Sequence, residues 1–556
     1  MNKHDEGCCL IDTNSSSKHK TCTGIGSKAH TAPVTYEEAL SRITSLAEQH
    51  RTRLIATGND EHVDSRKVFP ACHAVLPNDD CEKAILPVVA AVGQRSAQYV
   101  AAPYSIPTHD TSAMDGFAVS SESTLSASRT NPVRLRISYM IAAGDGLDTP
   151  IQSKAATKDI TNHQTHIQSE CIEIMTGARF PELSHPELDS VVKIEDVVVK
   201  RDPSDCNCCS AYIEVSAPVK IHQNRRFAGS DLAAGTLILE AGEMIEPKHV
   251  MSLASVGYRD VRVTTIKARK KSIQPDASVP KTLRVGVLST GSELTDVYEH
   301  PLERRSRSHV VSSQTIPNSN GPYILSSLLR VSTSADVQYF GIAQDSEDVL
   351  EGKLRFAIED SQMDVIITTG GVSRGKFDLI RPVIEQKLQA KVVFHGVKVR
   401  PGLPVLFALL ERDRGVSRGN QKRSIAFFGL PGNPIATAMA LRFFVVPYLA
   451  ALGHAEFRGL SLRSEVRLQQ IGVSGPCHAP LKRTQARSKP KHLTCFWLSR
   501  TQLPSKDQSQ GRSEVEVLDD QASYKMASLL QANCWIEVPA GVESVSEGDI
   551  MVVHRL

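Results

Sequence analysis

Apolar and polar positions alternate differently in each successive stretch of the chain. Residues 1 to 33 carry no apolar period and read as a disordered leader. Val34-Thr35-Tyr36-Glu37-Glu38-Ala39 then opens a helix: Thr35 caps it, Glu38 closes a capping box, and Leu40, Ile43 and Leu46 form its apolar stripe. Polar residues 51 to 82 separate this helix from a second apolar stretch, Ala84 to Val92. From about Pro103 to Ser216, short β-rich runs such as VRLRISYMI, CIEIMTG and YIEVS alternate with turn residues. That pattern predicts a small all-β module, with 151 to 168 and 201 to 210 as solvated loops.

Between Arg284 and Gly453 the period changes again. RVGVLSTG, VQYFGIA, DVIITTGG and IAFFGLPG are each followed by a polar or glycine-rich turn and then by helical spacing. Such alternation predicts a parallel sheet covered by helices. The near-membrane-length run Ile435 to Gly453 contains Arg442 and Pro447, and reads as a buried helix with a break, not a membrane span. Beyond Gly453 strand-like runs return and end in CWIEVPAG and DIMVVHRL, which predicts a C-terminal β domain.

Ligands of open α/β sheets gather at the carboxyl ends of the strands. Three of the four strands above end in glycine-bearing loops: Ser289-Thr290-Gly291-Ser292-Glu293-Leu294, Thr368-Thr369-Gly370-Gly371-Val372-Ser373, and Gly429-Leu430-Pro431-Gly432-Asn433-Pro434. In the last, Asn433 is placed as a helix N-cap and Pro434 at the first helical position, with free N–H donors facing the loop. A fourth piece, Arg400-Pro401-Gly402-Leu403-Pro404, sets two prolines after a cation and so fixes the backbone around it. A fixed cation beside glycine loops suits phosphate, pyrophosphate or molybdate. Each loop alone is an ordinary turn; their coincidence in one domain is the signal.

Composition narrows the picture. With 64 Lys+Arg against 61 Asp+Glu, the +3 balance offers no global field for nucleic acid, and the 556 residues exceed what one core needs. Twelve cysteines in such a chain, with no apolar signal segment in MNKHDEGCCLIDTNSSSKHK, point to a reducing, cytosolic setting. Cys206-Asn207-Cys208-Cys209 lacks a second ligand pair at zinc spacing and reads as a loop with free thiols; Lys267 to Lys271 reads as a solvated basic linker.

In order along the chain, Asp110-Thr111-Ser112-Ala113-Met114-Asp115-Gly116-Phe117-Ala118-Val119, Ile174-Met175-Thr176-Gly177-Ala178, the three glycine loops and Arg400-Pro401-Gly402-Leu403-Pro404 resemble the MoeA and gephyrin E-domain family of molybdopterin molybdenumtransferases. The resemblance runs from about Val34 to the end. It implies an α/β plus β multidomain, elongated subunit. Its parts are a discontinuous N-terminal helical linking domain (34–103 and 217–270), a β-rich domain (104–216), a MogA-like three-layer α/β domain with a mostly parallel sheet (271–454) and a C-terminal β-barrel (455–556). It implies a homodimer whose cleft lies between the α/β domain of one subunit and the β-rich domain of the other. The implied reaction joins molybdate to adenylylated molybdopterin with release of AMP, assisted by Mg²⁺ or a similar divalent cation, on a substrate made by a separate MogA-type adenylyltransferase.

The same resemblance distributes roles. Asp115, Ser112, Thr176 and Asp378 are the expected catalytic residues. Ser289, Thr290, Gly291, Gly370, Gly371, Ser373, Gly429, Pro431, Gly432 and Asn433 are expected at the substrate and nucleotide. Arg400, Pro401 and Pro404 are expected at molybdate, and Glu293 with Asp378 at the metal. On residue type alone Asp115 reads as a turn aspartate bonding its own backbone, Thr176-Gly177 as a plain turn, Asp378 equally as a helix cap, and Glu195 and Asp196 as solvated acids. The chain departs from the family pattern at Ser292 and Asn318, where acids are common, and at Arg374, Lys376, Leu403 and Ala436. Those departures leave a second reading open, a scaffold that binds molybdopterin, nucleotide or protein partners without inserting metal.

Overall fold

The computed structural model describes residues 32–56, 83–141, 169–181, 184–201, 211–264, 283–296, 315–331, 335–373, 378–413, 422–452, 477–480, 487–502 and 514–556. Helix α1 (Tyr36–Ala56) starts where Thr35 Oγ1 accepts the Glu38 N–H at 3.2 Å. Glu38 does not close the box; its carboxylate takes the Arg42 guanidinium one turn on, a charge-assisted bond that outcompetes a backbone N–H. Tyr36, Ala39, Ile43, Ala47 and His50 form the buried face.

The apolar stretch after residue 83 is cut by Pro87. Strand β1 (Lys83–Pro87) stops there and a turn follows, so this part of the linking region is strand and turn rather than helix. Next come β2 (Thr111–Ser112), β3 (Gly116–Val119), β4 (Val133–Ile141), β5 (Ser169–Ile174), β6 (Ser190–Lys193), β7 (Val197–Arg201), β8 (Ala211–Val215) and β9 (Arg225–Arg226). Six of these make one mixed sheet in the order β6-β3-β5-β4-β8-β7, antiparallel except for the β4–β5 pair. The strand Arg95–Ser96 and β1 both pair with β10 (Asp260–Thr264), which follows α2 (Pro247–Ser255).

A two-stranded stalk joins this base to the β-rich sheet. Val100–Ala101 pairs with Leu237–Leu239, Ala102 and Gly235 bond at 2.8 Å, Ile106 bridges Leu232, Gly229 donates to the Pro107 carbonyl at 2.9 Å, and β2 pairs with β9. The chain thus leaves and re-enters the linking region along two adjacent antiparallel strands.

The α/β part follows as β11 (Arg284–Thr290), α3 (Asn320–Val331), β12 (Asp336–Ala343), α4 (Glu347–Arg355), β13 (Val365–Thr369), β14 (Lys391–His395), β15 (Val399–Arg400), β16 (Leu406–Asp413) and β17 (Lys422–Leu430). Its sheet runs β12-β11-β13-β17-β16-β14, the first four strands parallel. Both faces are covered, which is why β13 is buried at every position. Phe428 and Val285 face α3 and a long apolar helix, while Phe427 and Ile366 face α4.

That apolar helix, Pro434–Ala451, is 72% buried and serves as a core element. Its first part, α5 (Pro434–Ala440), passes into a π-turn over Leu441–Val445 before helical bonding resumes. Pro447 has no N–H to give, and the ladder widens by one residue instead of breaking. Phe443 stacks on Phe496 at 4.0 Å and meets Trp535 edge-on at 6.2 Å, tying the helix to the C-terminal sheet. That sheet contains β18 (Cys477–Pro480), β19 (Thr494–Gln502), β20 (Glu514–Val517), β21 (Cys534–Val538) and β22 (Ile550–Arg555), with α6 (Met526–Gln531) before β21. It runs β15-β19-β21-β22-β18, and no pairing among the described residues closes the series into a barrel.

Candidate active site

Because β11, β12, β13 and β17 are parallel, their carboxyl ends open on one edge, and the turns there are bonded to one another. Thr290 Oγ1 donates to the Thr369 carbonyl at 3.1 Å, Gly370 N–H to Leu430 at 3.0 Å, and Gly291 N–H to Ala343 at 3.0 Å. Gly370 has φ +86°, and a Cβ there would lie 2.7 Å from the Thr290 carbonyl, so only glycine lets the two turns approach. Gly371 lies against Thr290 Oγ1, Gly429 against Val372, and Gly432 against Gly370. The Arg400–Pro404 loop joins them: a Cβ on Gly402 would meet Met439 and come within 4.0 Å of Pro431.

The loops do not all present what the sequence suggests. Ser289 and Thr290 are buried, their hydroxyls spent on neighbouring strands, so they fix the edge rather than line it. The Ile435 N–H at the start of α5 is taken by the Ser523 carbonyl at 2.9 Å and Thr437 N–H by Asn433, so this helix start does not hold the free donors expected of it. Asn433 occupies the N-cap position without a side-chain capping bond, and Asn320 donates from Nδ2 to the Gly432 carbonyl at 2.7 Å. What faces outward is Ser373, Gly432, Arg400, Ser292 and Asp345, with Glu293, Asp378, Asn433, Pro401 and Pro404 partly covered.

Two carboxylate arrangements lie on this rim. Glu293 folds over Gly291, and burial together with the nearby Asp345 charge pushes its carboxyl up to about 7. Asp345 is clasped by Ser292, whose N–H and hydroxyl meet the Asp345 carboxylate and N–H at 2.9 Å each. Asp378 accepts the Ser373 hydroxyl at 2.6 Å and does not cap the following helix, whose N-cap position is Leu379. Asp345, which the sequence motifs do not single out for a role, thus bears on Glu293 electrostatically. A signal was present: Asp345 lies in the turn after β12, the parallel strand of the four whose end lacks a glycine loop. Arg374 and Lys376 lie outside the described residues, as do Cys206 to Cys209 and Lys267 to Lys271.

Asn318 resolves one departure from the family pattern. It is 2% exposed, donates from Nδ2 to Ser289 Oγ at 3.0 Å and to Tyr339 Oη at 2.6 Å, and accepts the Gly321 N–H at 3.2 Å. Tyr339 is itself hydrogen-bonded to buried Asp296, and burial lifts its phenol well above the ordinary value. The amide offers both a donor and an acceptor here, and the structure uses both. In this chain position 318 is an internal tie between Ser289, Tyr339 and the start of α3.

On the β-rich sheet, Asp115 Oδ1 accepts both the N–H and the hydroxyl of Thr176 at 2.7 Å, and so does not bond its own turn. Gly116 follows because any Cβ there would overlap the Val192 carbonyl oxygen. Ser112 is fully buried and donates to the Met114 carbonyl at 2.6 Å, so it shapes the Asp115 turn and is not placed to touch a substrate. Asp110 is an internal anchor, holding Arg225 at 2.7 Å and Ala228 N–H at 2.8 Å. Glu195 and Asp196 are exposed on a short 3₁₀ turn.

Tied strand-end turns, flanked by Glu293 with Asp345 and by a proline-fixed arginine, define an α/β protein whose loops converge at the carboxyl ends of its sheet, where open α/β sheets take ligands. Family models place it further. Residues 34–257 match the MoeA N-terminal region (domain I and II), 286–451 a model described as "Probable molybdopterin binding domain", and 485–556 the MoeA C-terminal region (domain IV). The chain belongs to the MoeA family. It is 28% identical over 461 residues to a molybdopterin molybdenumtransferase of Synechococcus elongatus, covering 83% of this chain and 91% of that one. It is 30% identical over 352 residues to the Staphylococcus aureus (strain MSSA476) protein of that name, covering 63% and 67%. A solved molybdopterin biosynthesis MoeA protein from Pyrococcus horikoshii shares 22% identity, covering 94% of this chain and 99% of that one, with a TM-score of 0.36.

Proposed function

We propose that this protein is a molybdopterin molybdenumtransferase, which takes molybdate and adenylylated molybdopterin and releases molybdenum cofactor and AMP. The observation that carries the reading is the convergence of the Gly291, Gly370–Gly371 and Gly432 turns with the Arg400–Pro404 loop on one sheet edge, within the stretch matched by the molybdopterin-binding model. Relatives along most of the chain bear that name.

In this reading Arg400 grips the molybdate dianion with a guanidinium fork, and Pro401 and Pro404 reduce the entropy lost on doing so. Ser373, steadied by Asp378, and Asn433 line the phosphate path. Asp115, its Oδ1 held by Thr176, keeps its second oxygen for orienting the water that opens the phosphoanhydride. Glu293 and Asp345 would hold a divalent cation, because burial and the Asp345 charge both raise the Glu293 carboxyl and a positive charge there would relieve it. Mg²⁺ bound there would supply charge neutralisation at the phosphates. Asp115 reaches the cleft from the second subunit of a homodimer, a separate MogA-type enzyme supplies the adenylylated substrate, and the setting is the cytosol.

Purified protein given adenylylated molybdopterin, molybdate and Mg²⁺ is expected to release AMP in proportion to molybdate. Tight substrate binding with no AMP would overturn the enzyme reading in favour of a scaffold.

A further inference from the structure

Arg225 and Arg226 are consecutive on β9, and strand alternation sends them to opposite faces. Arg225 turns into the β-rich part, with Nε on Asp110 at 2.7 Å and its guanidinium 4.3 Å from the Phe180 ring centre. Arg226 turns toward the C-terminal domain, where its Cζ stands 3.9 Å from the centre of the Tyr524 ring. Nη2 of the same guanidinium donates to the Ala113 carbonyl at 3.4 Å, two residues before Asp115, and Ala113 N–H is held by Asn224 at 2.8 Å. Nε of Arg226 is buried with no hydrogen-bond partner among the described residues.

The stack rests on a firm base. Helix α6, which follows Tyr524, is gripped at both ends by the linking region. Asp231 accepts the Ala527 N–H at 3.1 Å at its start, and Lys248 Nζ donates to Leu530 and Ala532 carbonyls at 3.0 and 2.9 Å at its end. Both contacts satisfy backbone groups at the ends of the helix, which would otherwise lack partners. Tyr524 is therefore a fixed platform, and a planar guanidinium laid on it has its plane, and so the direction of Nη2, fixed too. The Ala113 bond is long and would not hold the plane alone.

We propose that Tyr524 and Arg226 are a positioning pair, through which the C-terminal domain sets the geometry of the Asp115 turn; this rests on the reading of Asp115 as a participant in the reaction. Without the ring, the guanidinium is free to rotate until Nε finds an acceptor, and Ala113 loses its outer contact. The aromatic face carries the contact, with the Arg226 Cζ over the Tyr524 ring centre.

The test uses full-length protein with Tyr524→Ala, Tyr524→Phe and Arg226→Lys. Amide hydrogen exchange of residues 113–116 and 176–178 is followed without substrate, and AMP release is measured for kcat and KM. Tyr524→Ala and Arg226→Lys are expected to speed exchange at Thr176 by about ten-fold, as local opening becomes easier, and to lower kcat with KM nearly unchanged. Tyr524→Phe is expected to match the parent in both. Unchanged exchange in a folded Tyr524→Ala protein overturns the proposal, and if that variant does not fold, Arg226→Lys decides it alone. If the parent itself releases no AMP, the enzyme reading falls, while the exchange comparison still decides whether the stack holds the turn.

Discussion

Arg400 and Asp115 are the two residues on which the proposed chemistry most depends, and they differ in how the fold holds them. Arg400 is exposed on an edge strand, with prolines on the loop after it, so Arg400→Ala is expected to leave the melting temperature within about 1 °C, as surface changes usually do. The same variant is expected to raise the molybdate concentration needed for half-maximal AMP release by at least about ten-fold, the scale of a lost charge-assisted contact; an unchanged requirement would remove Arg400 from the oxyanion pocket. Asp115→Asn keeps the size and the acceptor for Thr176 but loses the charge. It is expected to lower the AMP release rate by about 10²-fold or more, the usual weight of a positioned acid or base, with substrate binding by calorimetry largely retained. At this scale the sequence was informative about which turns carry chemistry and silent about which way each side chain faces. Ser112, Ser289 and Thr290 share the motifs of Asp115 and Gly291, yet lie inside. Motif membership says nothing about burial when a hydroxyl can be satisfied equally by a neighbouring strand or by a ligand.

Elements were the most legible level where the apolar period was long. The four β-branched runs between Arg284 and Gly432 became four parallel strands, because a strand buried on both faces must be apolar throughout. The stretch after Ala84 was ambiguous because nine residues with a proline inside are too few to fix a period. Helix α1 offers a test of its buried seam. His50 Nδ1 lies 2.6 Å from the Tyr448 hydroxyl, and burial holds its imidazole down at about 4. An unfolded histidine titrates near about 6.5, so between those values the unfolded chain takes up the proton and the folded one does not. Stability from this neutral histidine is complete above about pH 6.5 and is lost as pH falls toward 4. The melting temperature should decline over that window, and His50→Phe should flatten the decline. An identical slope in the variant would assign it to other groups, of which buried His249, held down at about 3, is the next to replace.

Assembly was the level least open to sequence, since one chain does not state which of its faces meets a second copy. If the Asp115 turn serves the partner's α/β edge, a mixture of Asp115→Asn and Arg400→Ala subunits will contain heterodimers with one intact cleft. Random pairing of equal amounts then restores about one quarter of parental AMP release, and no recovery after confirmed subunit exchange would place both residues in one chain's cleft. The stalk has a further consequence. Pro107 and Gly229 already touch through a hydrogen bond, so the chain can be cut and closed at that point like a hairpin. Deleting residues 108–228 and joining the ends with a short glycine turn should leave a smaller protein that melts cooperatively and still binds adenylylated molybdopterin, yet returns no AMP. Failure to fold would mean that the β-rich module is a structural necessity and not a transplantable part. The gene for such a protein would be free to gain, lose or exchange that module in a single recombination step, because its two chain ends come and go through the same doorway.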